Sequence, residues 1–234
     1  MKNLLVSLLV VVLLVTAAQA TVFTSEYDGN ALPTASTPAW TAHFNTGTSS
    51  VSGGVMTLDT TGSKDLLYRI NGGVGSSWNP TGLGSTLEMR VKVTTSDSAT
   101  SLAASFAIRT GVRKWYLGIA LDHLLRVIDG PDPQIPMDFS DWTVLRMVID
   151  EGDGGVTSWG AIDLYVNGTF AVTLPSEATS DNNLDFGDDL GGASGVTQWD
   201  YIKWTNEVAE VPEPATMALL SLGGIGMFFR RLKR

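Results

Sequence analysis

The chain contains no cysteine. A domain of this composition outside the cytoplasm must stand on its core without disulfides, and zinc–thiolate sites and cysteine nucleophiles are excluded. Histidine is nearly absent too, with only His43 and His123. A Ser-His-Asp triad or a histidine metal site would have to run through one of them. His123 follows Asp122, but neighbours along a strand point to opposite faces. No catalytic residue is therefore assigned. Basic residues are few, 15 Lys and Arg against 24 Asp and Glu. Lys2, Arg230, Arg231, Lys233 and Arg234 lie in the two ends, together with the acid Glu213. The middle, Thr21 to Val211, then holds ten basic and twenty-three acidic residues, a net charge of −13. Such a surface repels phosphate backbones, which argues against nucleic acid and suits calcium or neutral sugars better. Convincing helical periodicity over ten residues is also missing from the middle.

The ends are patterned differently. Lys2 supplies a positive charge, Leu4 to Val15 is apolar apart from Ser7, and Ala18-Gln19-Ala20 places small residues where a signal peptidase reads them. Residues 1–20 are expected to be a secretory signal peptide cleaved after Ala20. At the other end Ala215 to Phe229 is apolar or small, and Arg230, Arg231, Lys233 and Arg234 follow at once. A helix of that length reaches only ~22 Å, short of the ~30 Å hydrocarbon core, but basic stems at its end can snorkel. The basic tail 230–234 is expected to stay cytoplasmic and the rest of the chain to face outward.

The middle reads as strands and turns. Thr86 to Val93 alternates Leu87, Met89, Val91 and Val93 against Glu88, Arg90 and Lys92, the pattern of a half-buried strand. Further strands are expected at Val55–Asp59, Leu66–Ile70, Ala103–Arg109, Lys114–Leu121, Leu124–Ile128, Trp142–Asp150, Ala161–Val166, Phe170–Thr173 and Val196–Thr205. Asn167-Gly168 is a type I′ hairpin signal. Short strands with Gly- and Asn-rich turns imply an all-β, two-sheet antiparallel jelly-roll sandwich over residues 21–206, and 207–211 reads as a polar linker.

Two resemblances sharpen this. Val211-Pro212-Glu213-Pro214, the apolar run 215–229 and the basic end together resemble the PEP-CTERM sorting signal, over residues 212–234. The resemblance implies recognition of Pro212, Glu213 and Pro214 by an exosortase. It also implies a membrane-anchored precursor delivered to the surface or extracellular matrix of a Gram-negative-type bacterium that makes exopolysaccharide. Trp142 to Asp150, then Ile162-Asp163-Leu164-Tyr165-Val166-Asn167-Gly168, with Gly54 to Leu58 and Trp199 to Ile202, resembles the concanavalin A-like (laminin-G-like) jelly roll. Members of that family bind sugars or proteins, and some are glycosidases or lyases.

Candidate chemistry is sparse. No strand carries the alternating acids that glycosidases of this fold use as acid and nucleophile. Glu88 could face a concavity, though it reads more simply as a solvated neighbour of Arg90 and Lys92. Trp78 and Trp159 lie in Gly/Ser-rich loops and are expected to be exposed for stacking on carbohydrate, while Trp115 and Trp142 are expected in the core. An acidic loop with Asp181, Asp185, Asp188 and Asp189 offers oxygen ligands for calcium, although its spacing is not that of an EF-hand. Three readings remain open: a non-catalytic surface protein binding extracellular polysaccharide, a carbohydrate-active enzyme on the same fold, and a purely structural envelope protein. The lack of paired carboxylates and the scarcity of histidine favour the non-catalytic readings.

Overall fold

A computed structural model describes residues 22–80, 84–97, 102–126, 134–150, 160–188 and 194–206. The expected signal peptide, linker and C-terminal segment lie outside the described residues, as do Trp159 and Asp189. Among the described residues no helix is long and apolar enough to cross a membrane.

Sixteen strands are described: β1 (Ser25–Tyr27), β2 (Thr41–His43), β3 (Thr48–Ser52), β4 (Val55–Asp59), β5 (Leu66–Asn71), β6 (Ser85–Ser96), β7 (Ala104–Thr110), β8 (Arg113–Ile119), β9 (His123–Arg126), β10 (Gln134–Pro136), β11 (Thr143–Asp150), β12 (Ala161–Val166), β13 (Thr169–Pro175), β14 (Glu177–Ala178), β15 (Asn182–Asp188) and β16 (Gly195–Thr205). They form two antiparallel sheets. Sheet A runs β13-β12-β11-β6-β16-β4-β3, with β1 also on β16; sheet B runs β10-β9-β8-β7-β15-β5-β2, with β14 also on β8. The expected all-β sandwich is what forms.

Turn chemistry sets the hairpins. Asn167 (φ 49°) and Gly168 (φ 80°) both take positive φ between β12 and β13, as a type I′ turn requires. The Asn167 side chain also accepts the N–H of Val144, which ties the turn to β11. In the sheet interiors, period-two alternation places Leu87, Met89, Val91 and Val93 of β6 inside, facing Phe106, Ile108, Leu117 and Ile119 of the other sheet's strands across a shared core. At one end of that core the aromatic rings of Tyr27, Trp40, Phe186, Trp199 and Trp204 pack together, with Trp40 edge-on to Phe186 at 4.8 Å. Edge-to-face geometry of this kind suits the ring quadrupoles and adds to the area buried.

Two expectations require correction. The acidic segment Asp181–Asp189 is expected to be a loop, yet Asn182–Asp188 is β15, in the interior of sheet B between β7 and β5. Leu184 and Phe186 point into the core while Asn183 and Asp185 point out, so the segment alternates after all. Gly187 (φ 131°) makes this possible: a Cβ there would lie 2.2 Å from the Leu66 carbonyl oxygen. Trp142, expected in the core, precedes β11 and is only half-buried on the outer side of sheet A, beneath the Arg90 guanidinium.

Candidate functional site

Each sheet turns one face to the core and one outward, so the functional question is what the two outward faces carry. On sheet B the centre is Asp185, fully buried. The strand register sets Asp185 between Arg69 on β5 and Ala107 on β7, and Asn183 beside Arg109. Arg69 donates from Nε and Nη2 to the two carboxylate oxygens, each at 2.7 Å. Arg109 donates from Nη1 to Asp185 and to the Asn183 amide oxygen. A carboxylate lacking water survives only when neutralised and hydrogen-bonded in this way. Both oxygens of Asp185 are thus committed to guanidinium groups, which corrects its expected availability to a cation. Asp181 lies before β15 with a largely exposed side chain, and Asp188 is buried at the far end of the strand. Among the described residues no group of three or more metal-ligating acids or histidines converges.

Sheet A's outward face is built on a different principle. One cross-strand row runs through six strands in register: Phe170 on β13, Tyr165 on β12, Arg146 on β11, Glu88 on β6, Lys203 on β16 and Glu26 on β1. Phe170 is 53 % exposed and stands edge-on to Tyr165, with ring centres 5.6 Å apart. Next to them Thr173 donates its hydroxyl to Asp163 at 2.6 Å. Arg146 reaches Glu88 Oε2 from Nε at 2.9 Å and Nη2 at 2.7 Å. The Tyr201 hydroxyl donates to Glu88 Oε1 at 3.0 Å. Burial, then the Glu88 charge, pushes the Tyr201 phenol far above its ordinary value, so the group is a donor at any physiological pH. Lys203 closes the row, 3.4 Å from Glu26 and 4.1 Å from the Tyr201 ring centre. Beside the row, Arg90 pairs with Asp200 at 2.7 Å and covers the Trp142 ring at 4.8 Å. Glu88 is therefore neither a free acid in a concavity nor simply solvated. It is a paired, largely covered member of an ionic row.

Past Glu26 the face ends in a half-open cleft of about 620 Å³. Its lining mixes the polar residues Thr24, Ser25, Glu26, Asp28, Asn30, Ser36 and Thr37 with Ala31 and Pro38, and the Ser36 hydroxyl is already donated to the Pro33 and Pro38 carbonyls. Asn30 donates from its backbone and its side chain to Asp28, which holds that carboxyl below the usual range.

The remaining expectations fare unequally. Trp78 is completely buried, its indole N–H donating to the Arg109 carbonyl at 2.9 Å. With no exposed ring face it cannot stack on a sugar, and that expectation is corrected. Trp115 is core, as expected. Asp122 and His123 do touch, Oδ1 to Nδ1 at 2.6 Å. Strand alternation does not separate them, because Asp122 sits in the bend before β9 rather than in the strand. An aromatic pair with no counterpart among the sequence expectations, exposed Phe170 and half-buried Tyr165, flanks the Asn167-Gly168 turn.

Comparison with known proteins adds the following. The chain is similar in structure to the carbohydrate esterase of the Shiga toxin-encoding bacteriophage phi24B, at 14% identity and a TM-score of 0.56, over 82% of this chain and 100% of that one. It is also similar to the binding domain of botulinum neurotoxin DC, solved in complex with rat synaptotagmin II, at 10% identity and a TM-score of 0.48, over 79% of this chain and 47% of that one. The receptor-binding domain of botulinum neurotoxin type G aligns at 10% identity and a TM-score of 0.45 over 75% of this chain and 45% of the other. The chain spans about half the length of these toxin chains. At such identities the likeness concerns the fold. Comparison with curated sequences gives no match. Residues 210–234 match the PEP-CTERM protein-sorting motif, which implies an exported, membrane-anchored precursor processed by an exosortase. The chain is thus an all-β sandwich of two antiparallel sheets carrying a PEP-CTERM sorting motif at its C-terminal end.

Proposed function

We propose that the chain is a non-catalytic surface or extracellular-matrix protein whose sandwich binds carbohydrate of the surrounding exopolysaccharide. In this reading signal peptidase removes residues 1–20 after Ala20, the segment 215–229 holds the precursor in the cytoplasmic membrane, and an exosortase acts at Pro212-Glu213-Pro214. The domain then resides at the surface of a Gram-negative-type bacterium. The observation that carries carbohydrate binding is the exposed Phe170 against Tyr165, set beside the hydrogen-bonded Asp163–Thr173 pair. A pyranose ring presents C–H groups on its faces and hydroxyls at its rim. An aromatic surface edged by a few fixed polar groups complements both.

A glycan array with the purified chain tests the binding. Retention of neutral glycans that Phe170→Ala loses is the expected result, and no retention on any glycan favours the purely structural reading. Intact-mass analysis of surface protein tests the sorting. A species lacking the segment after Pro214 is expected, whereas retention of Arg234 in every mature molecule would make the tail a permanent anchor. A second reading, a carbohydrate-active enzyme on this fold, draws on the 2.6 Å contact of Asp122 with His123, which is the orienting half of a hydrolytic triad. Sugar release or ester hydrolysis by the purified chain that disappears in His123→Ala would establish it in place of the first.

A further inference from the structure

Resting on the carbohydrate reading, we infer that the occupant of sheet A's outward face is a single neutral polysaccharide strand, lying across the β-strands from Phe170 to the cleft beyond Glu26. Three observations set its course, its length and its charge.

The course follows from register. Phe170, Tyr165, Arg146, Glu88, Lys203 and Glu26 occupy one row through six neighbouring strands. One end is the exposed Phe170 against the half-buried Tyr165, the other a cleft of mixed lining that includes Thr24, Ser25, Glu26, Asp28 and Asn30. These are the two kinds of surface that a sugar ring uses, the first through its C–H face and the second through its hydroxyls.

The length follows from strand spacing. Six adjacent strands put the ends of the row ~24 Å apart, long enough for several sugar rings end to end and too long for one or two. A monosaccharide would meet only one terminus of the track.

The charge follows from pairing. Along the row Arg146 is bound to Glu88 and Lys203 lies against Glu26. Arg90, beside it, is bound to Asp200. Cation and anion alternate, so the row has little net charge, while the domain as a whole is strongly acidic. A uronate or sulfated chain would be repelled by the domain and would find these cations already neutralised. Hydroxyls, in contrast, can add hydrogen bonds to paired guanidinium and carboxylate groups without breaking them.

The experiment uses the purified chain with neutral gluco- and manno-oligosaccharides as disaccharides and hexasaccharides, and alginate as the anionic probe, read by isothermal titration calorimetry. A hexasaccharide is expected to bind about tenfold or more tighter than the disaccharide of the same linkage, since a second contact region joins only for the longer ligand. Phe170→Ala and Asn30→Ala, at opposite ends of the track, should each weaken the hexasaccharide about tenfold, with unchanged circular dichroism. Asn71→Ala, exposed at the end of β5 in sheet B, should change nothing. Equal affinity for the two lengths, tighter binding of alginate, or loss of binding in Asn71→Ala and not in Phe170→Ala overturns the track while leaving carbohydrate binding standing. Absence of binding to every probe overturns both.

Discussion

The two outward faces treat charge in opposite ways. On sheet B one carboxylate, Asp185, is removed from water entirely and held by Arg69 and Arg109, whose side chains are 25% and 15% exposed. On sheet A the charges are spread along a row with none fully buried: Arg146 and Glu88 at its centre are 24% and 13% exposed, and Glu26 at its end 47%. A buried charge that loses its partner faces the full cost of desolvation, whereas an exposed pair loses little. Sheet B's cluster therefore belongs to the fold, locking the register of β5, β15 and β7. Sheet A's row should contribute less to stability than that cluster does.

That contrast can be broken by substitution. The largest effect should come from Asp185→Asn, which leaves two guanidinium groups around a neutral amide, and urea unfolding should show a loss of about 3–5 kcal/mol. Phe186→Ala, under the same strand, should cost a similar ~3–5 kcal/mol through the cavity it opens, whereas Phe170→Ala on sheet A should stay within ~0.5 kcal/mol and show its effect in glycan binding. Glu88→Gln is the intermediate case, since Glu88 is largely covered but Arg146 can turn toward water. About 1 kcal/mol is expected. If Glu88→Gln proved as damaging as Asp185→Asn, the two faces would not differ in the way described.

The smallest effect concerns alkaline pH. Because the Tyr201 phenol is raised in the folded state, the unfolded chain ionises first. The contribution of Tyr201 is present below about pH 10 and is lost as pH rises from there through the folded value. Thermal unfolding between neutral and strongly alkaline pH should show a shallower decline for Tyr201→Phe, with near-identical midpoints at neutrality. A decline unchanged by the substitution would place the alkaline weakness elsewhere, with the buried Tyr27 or Tyr68.

Much of the architecture could be read from period two and turn residues. β6 and β12 alternate cleanly, β16 alternates on either side of an irregularity at Trp199–Tyr201, and Asn167-Gly168 marks its own hairpin. β15 escaped because Asp, Asn and Gly are also the residues of turns, and the alternation of Leu184 and Phe186 was outweighed by the acids around them. Trp78 misled for a related reason. A Gly/Ser-rich loop suggests exposure, but nothing local reveals that its indole will reach the Arg109 carbonyl across the chain. The Tyr165–Phe170 pair was legible in principle. A two-residue turn at Asn167-Gly168 makes Tyr165 and Phe170 cross-strand partners, and inward Ile162 and Leu164 send Tyr165 outward. The ionic part of the row was not legible, because it joins four strands whose order in the sheet no short-range pattern states.

The first and last described strands are neighbours, with Ser25 opposite Trp204, Glu26 opposite Lys203 and Tyr27 opposite Ile202. Beyond them β16 is hydrogen-bonded to β6 along most of its length and to β4 along its first half. A pull applied to Thr205 along the strand axis enters the domain through β16. Its bonds to β6, β4 and β1 are then loaded together in shear and cannot be peeled open one at a time. Under such a pull β16 is a mechanical clamp, and its yield force is the property to measure by pulling on the C-terminal side.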